Sequence, residues 1–130
     1  MFTITKQSDY GIILLSYVYK KNKLVKLSDL IKETKLPKRF LARIAAELVK
    51  AGLLISHEGK NGGYEIGKKI KITSMYRYLK IFKEDFSLCG CGEVGYQCPY
   101  ETICGHKDFS NELNKTITSQ LKKTKLVDLL

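Results

Sequence analysis

The chain has 130 residues, 44% of them hydrophobic, and a formal net charge of +10. That length suits one compact domain with an appendage, and the charge favours a polyanionic partner, nucleic acid above all. The longest apolar stretch, Tyr10 to Tyr19, is far short of the roughly 20 residues that span a bilayer. It also lacks the basic leader and small-residue cleavage site of a signal peptide, so the expectation is a cytoplasmic protein with no membrane partner.

The charge is unevenly placed: residues 1–88 carry 18 Lys and Arg against 8 Asp and Glu, and residues 89–130 carry 5 of each. In chain order, Tyr10–Tyr19 is apolar nearly all round and reads as a core helix, closed by Lys20, Lys21 and Lys23 at the end where the helix dipole favours cations. Ser28 is expected to cap a short helix with Leu30 and Ile31 inward. Thr34-Lys35-Leu36 makes a turn, and Pro37 stands at a first helical position that needs no N–H. Phe40, Leu41, Ile44, Leu48 and Val49 then recur at helical spacing until Gly52. A short helix, a turn and a longer helix make a helix-turn-helix. The opposite face of the longer helix carries Lys38, Arg39, Arg43 and Lys50, and arginine there can hold a guanine edge bidentately. A solvated basic face is the plainer account of such residues.

The segment after that helix favours DNA. Leu53–Glu58 and Tyr64–Ile66 read as two strands joined through Gly59-Lys60-Asn61-Gly62-Gly63, with Asn-Gly supplying the turn's positive φ and Lys60 at the tip. A hairpin after a recognition helix is the winged arrangement. The glycine loop lacks the phosphate-loop pattern and opens no helix, and His57 reads as a surface or contact residue. Thr73 can cap a helix through Phe82 with Met75, Leu79 and Phe82 inward. Beyond the cysteines, Phe109, Leu113, Ile117 and Leu121 recur every four residues over a helix from about Lys107 to Lys123. So narrow a stripe suits pairing with a second helix, with packing on the chain's own core as the alternative. The fold class is mainly α with a small β wing: residues 1–72 form a winged helix-turn-helix, and residues 73–130 form a cysteine loop and a long dimerisation helix.

All four cysteines, Cys89, Cys91, Cys98 and Cys104, and one of the two histidines, His106, fall within eighteen residues. With no export signal they read as thiolates rather than disulfides. Cys89-Gly90-Cys91 is too short for a usual zinc knuckle, whereas irregular, glycine-rich spacing is tolerated by iron–sulfur clusters. Spacing alone leaves a cluster, zinc and a thiol switch open.

The chain resembles the winged-helix regulators typified by IscR and NsrR over nearly its whole length. The resemblance rests on Ser8-Asp9-Tyr10-Gly11, Leu53-Leu54, the wing Gly59–Tyr64, the cysteine loop and the ending Lys125–Leu129. It implies a homodimeric transcription regulator that binds double-stranded promoter DNA under control of an iron–sulfur cluster, 4Fe–4S or 2Fe–2S, sensing nitric oxide, redox or iron–sulfur status. Cys98 and Cys104 match the last two of the family's three cysteines. Cys91 matches the first, although its gap of six is one residue longer than usual, and Cys89 is an extra that can substitute. For the fourth ligand the resemblance offers Asp9, given by the partner subunit in NsrR-like members, or His106, which stands one residue closer to the last cysteine than in IscR-like members. A cluster-free or zinc-binding regulator of the same fold, a thiol redox enzyme using Cys89 and Cys91, and a metal-storage or scaffold protein are the alternatives. A basic recognition helix discriminates against the last two.

Overall fold

The computed structural model describes residues 4–82, 87–88 and 95–130. Helix α1 runs Lys6–Lys21, four residues earlier than the apolar run because Thr5 caps it, its hydroxyl accepting from the Ser8 N–H. Asn22, in the left-handed region, ends it. Helix α2 (Leu27–Thr34) has Lys26 at its N-cap and no side-chain cap bond, so the expected role of Ser28 is corrected: that serine lies inside the first turn. Helix α3 spans Lys38–Lys50, with Pro37 as its N-cap rather than its first residue.

The end of α3 is built to turn the chain. The Gly52 N–H reaches the Val49 carbonyl at 3.0 Å, and the φ of +79 at Gly52 turns the chain so that the Leu53 N–H reaches Leu48 at 3.0 Å. This double closure satisfies carbonyls the helix leaves open and drops the chain straight into strand β1 (Leu54–His57), antiparallel to β2 (Gly63–Ile66) with Leu54 opposite Ile66 and His57 opposite Gly63. The joining loop is longer than a two-residue turn, and its positive φ falls on Gly59, not on Asn61 or Gly62. On its other edge β2 bonds Val25, with N–H to carbonyl distances of 2.8 and 2.7 Å in the two directions between Val25 and Tyr64. The wing is thereby anchored to the segment between α1 and α2.

After a 3-10 turn at Lys68–Lys71, helix α4 (Met75–Ile81) is capped by Ser74, whose hydroxyl accepts from the Arg77 N–H. Thr73, the expected cap, instead donates to the Lys69 carbonyl at 2.7 Å. Helix α5 covers His106–Lys123, and a closing 3-10 turn covers Leu126–Leu129. Leu14, Leu15 and Val18 of α1, Leu30 of α2, Leu41, Ile44, Ala45 and Leu48 of α3, Leu53 and Leu54, Tyr78 and Leu79 of α4, and Leu126 form one apolar cluster. Tyr10 and Phe40 pack edge to face at 5.4 Å and fix α1 against α3, an arrangement worth about 0.5–1.5 kcal/mol beyond burial. The buried Tyr78 hydroxyl donates to the Ser8 carbonyl, across a point where α1 carries Gly11.

Candidate DNA-binding surface and cysteine site

Burial of Leu41, Ile44, Ala45 and Leu48 fixes the rotation of α3 and leaves Lys38, Arg39, Ala42, Arg43, Ala46 and Lys50 exposed. The two alanines keep that face lean between its cations, so a groove wall can come close to the helix. The predicted residues are not equivalent. Lys38 and Arg39 open the helix, where recognition residues meet base edges. Arg43 borders a cavity of about 240 Å³ shared with Gln7, Glu47, Ile81 and Phe82, at the junction of α1, α3 and α4. Lys50 pairs with Glu47 at 3.7 Å in the last turn.

Lys60 is exposed at the wing, on a groove of about 310 Å³ that also takes in Lys26, Ser28, Ser56 and His57. Sequence reasoning missed Lys26 and Ser28 here, because their nearness to Lys60 depends on the Val25–Tyr64 bridge. His57 is exposed and its Nε2 lies 2.8 Å from Glu65 across the strands.

Ahead of α5, the chain from Cys98 to Cys104 is wound into turns. The Glu101 N–H donates to the Cys98 carbonyl at 3.4 Å, the Cys104 N–H to Tyr100 at 2.9 Å, and the Lys107 N–H to Cys104 at 3.4 Å, which leads directly into α5. Both cysteines are free thiols, Cys98 half-buried and Cys104 exposed. They line one cavity of about 90 Å³ with Tyr96, Glu101, Lys107, Ser110 and Asn111. A salt bridge from Lys107 to Glu101 braces the turn on the helix. The hydrogen bond from Lys107, and then its charge, hold the Glu101 carboxyl below the usual carboxylate range, and Glu101 in turn raises Lys107. Glu101 and Lys107 carried no motif and were not singled out from the sequence.

Cys89 and Cys91 lie outside the described residues. Asp9 is exposed in the first turn of α1, and His106 turns its Nδ1 to Ser110 at 2.7 Å and packs edge to face with Phe109. Neither residue lines the cavity of Cys98 and Cys104. Among the described residues no three His, Cys, Asp or Glu side chains converge as a metal site. The donor set that the described residues offer is thus two soft thiols on a common cavity, which fits part of the ligand set of an iron–sulfur cluster or a thiolate-bound metal.

A recognition helix with an exposed basic N-terminal end, followed at once by an anchored hairpin, defines a winged helix-turn-helix protein. The family model of Rrf2, described as an iron-dependent transcriptional regulator, matches residues 4–130, and the chain belongs to that family. The chain is 30% identical over 122 residues to the HTH-type transcriptional regulator NsrR of Bacillus licheniformis, covering 91% of this chain and 82% of that one. It is 23% identical over 129 residues to the protein rrf2 of Nitratidesulfovibrio vulgaris, covering 98% and 86%. Its fold is similar to CymR (YrzC), the global cysteine regulator of B. subtilis, with a TM-score of 0.74 at 20% identity over 99% of this chain and 96% of that one. It is similar also to T. potens IscR, with a TM-score of 0.64 at 20% identity over 98% and 85%. The protein is a DNA-binding transcriptional regulator, not an enzyme. Among the described residues no helix is long and apolar enough to cross a membrane.

Proposed function

We propose that the protein is a homodimeric operator-binding regulator whose affinity for promoter DNA is set by an iron–sulfur cluster on the cysteine loop. The observation that carries this is the placing of Cys98 and Cys104 on one cavity at the head of α5, supported by the family's description as iron-dependent. Cys91, Cys98 and Cys104 would be the thiolate ligands, with Asp9 of a second copy as the fourth and His106 or Cys89 as substitutes. When bound, the cluster supplies iron whose ligation responds to nitric oxide or oxidant. The chain's own residues transmit that state: the Cys98–Cys104 turn is bonded to the first turn of α5 through Cys104 and Lys107, so its shape sets how α5 leaves the loop. Lys38, Arg39 and Arg43 read the major groove, Lys50 and the wing Lys60 meet phosphates, and the boundary between DNA-binding and sensing parts falls near residue 72.

This reading places the dimer contact on α5. Leu121 packs against the chain's own core, whereas Phe109 and Leu113 stand 59% and 39% exposed, an apolar surface suited to a second copy of the helix. Two recognition helices must then match half-sites about 34–36 Å apart, so a change at α5 changes DNA affinity.

Anaerobic purification followed by iron and acid-labile sulfide analysis tests the cofactor. Iron with sulfide, lost in Cys98→Ala and Cys104→Ala, is the expected result. Zinc without sulfide, or no metal, replaces this reading with a zinc-binding or cluster-free regulator of the same fold. Promoter binding absent at low salt in both loaded and apo protein overturns the operator reading.

A further inference from the structure

The cavity of Cys98 and Cys104 has room for about three waters, which is also room for a small hydroperoxide. One thiol on it is half-buried beside a lysine and the other is open to solvent. We propose that in the metal-free protein Cys98 and Cys104 form a peroxide-oxidised thiol pair, with Cys98 the attacked sulfur and Cys104 the one that closes the disulfide. This goes beyond the cluster reading and rests on it only for its consequence.

The assignment of roles follows from the surroundings. Lys107, Ser110 and Asn111 line the cavity with both thiols, and the Lys107 ammonium, paired with Glu101, interacts electrostatically with the Cys98 sulfur. An ammonium there stabilises the oxygen that departs when an O–O bond breaks. In the first step the Cys98 sulfur bonds the near oxygen of the hydroperoxide and is oxidised to a sulfenic acid. The O–O bond breaks, and the thiol proton leaves with the far oxygen as water or an alcohol. In the second step the Cys104 sulfur displaces hydroxyl from the sulfenic acid. The S–S bond forms, the S–O bond breaks, and the Cys104 proton leaves with the hydroxyl as water. Cys104 suits this second role because it lines the same cavity as Cys98 and the six-residue step between them is wound through two overlapping turns, 98–101 and 100–104, so the bond closes a small loop. Lys107 is a positioning residue, acting on the departing oxygen and not on the sulfur bond itself. The disulfide occupies two of the proposed cluster ligands, so an oxidised chain cannot be reloaded with iron until it is reduced.

The experiment uses the full chain, stripped of metal anaerobically and treated with one equivalent of hydrogen peroxide. Cleavage after Glu93 and Glu101 puts Cys98 and Cys104 on separate peptides and Cys89 with Cys91 on a third. The expected result is a chain lighter by two hydrogens, with the Cys98 and Cys104 peptides joined until reductant is added. Cys104→Ser should instead leave a sulfenic acid on Cys98 that a dimedone probe captures, and Lys107→Met should slow oxidation several-fold. A bond to Cys89 or Cys91, a bridge between chains, or probe capture away from Cys98 overturns the proposal, and an unchanged rate in Lys107→Met removes the lysine from it. Iron and sulfide analysis before stripping reports on the cluster separately, so that reading can fail while the thiol pair stands, or the reverse.

Discussion

Replacing Gly11 by alanine should destabilise the protein even though alanine is the better helix former. A Cβ at position 11 would stand 2.2 Å from the Tyr78 hydroxyl oxygen, with the next atoms, Cζ of Phe82 and of Tyr78, at 3.3 Å. Tyr78 is fully buried and donates to the Ser8 carbonyl, so the new methyl expels a side-chain atom that ties α4 to α1. Overpacking a filled core costs about 1–3 kcal/mol, and losing the hydrogen bond adds about 1 kcal/mol. Removing glycine from a helix returns about 1 kcal/mol. The net loss is about 1–3 kcal/mol. Tyr78→Phe alone should cost about 1 kcal/mol, since the Ser8 carbonyl keeps its intrahelical acceptor role. In that background Gly11→Ala meets nothing closer than 3.3 Å and should be neutral or stabilising by up to about 1 kcal/mol. The assay is urea unfolding of the four variants at one protein concentration, because association contributes to apparent stability. Equal costs of Gly11→Ala in the two backgrounds, within about 0.5 kcal/mol, would refute the account of this contact.

Leu126→Ala empties a site with no solvent exposure and should cost about 2–5 kcal/mol by thermal or urea unfolding. Lys60→Ala should weaken promoter binding uniformly across sequences and lower the log–log salt slope by about one per phosphate contact removed, whereas Arg39→Ala should relax base preference at one position of each half-site, read by binding to a set of operator variants. The stabilisation from the Glu101–Lys107 pair should be lost on acidification. The folded Glu101 carboxyl is held low, so its contribution is present above the unfolded carboxylate pKa and disappears as pH falls through the lower folded value. Stability curves of the wild type and Glu101→Gln should therefore converge in acid, and a gap that persists there would remove the pair from the account.

Helix positions were legible because Leu41, Ile44 and Leu48 mark one face and nothing else competes for it. Caps were less so. Ser28 and Thr73 each sit one or two residues from the true cap, and a hydroxyl that fails to reach an N–H finds a carbonyl instead, as Thr73 does with Lys69. The wing was visible in its glycines, but the loop length moved the positive φ to Gly59. Periodicity gave Phe109 to Leu121 as one stripe, yet Leu121 is pulled into the core by the returning C-terminus while Phe109 stays outside. Tyr78, Glu101 and Lys107 were invisible as a class: each matters through a partner distant in sequence or across a turn, and no spacing rule announces such a pair.

The return of the chain has a mechanical consequence. Met75 donates its N–H to Thr124 at 2.8 Å and Leu126 donates to Thr73 at 2.9 Å, so the segment that begins with α4 and ends with α5 starts and finishes at the same clasp. A strip whose two ends are pinned together cannot pass a local deformation out through a free tail. A twist imposed at the Cys98–Cys104 turn therefore meets a helix whose far end is already held. The few residues after Thr124 thus hold the far end of α5 to the start of α4.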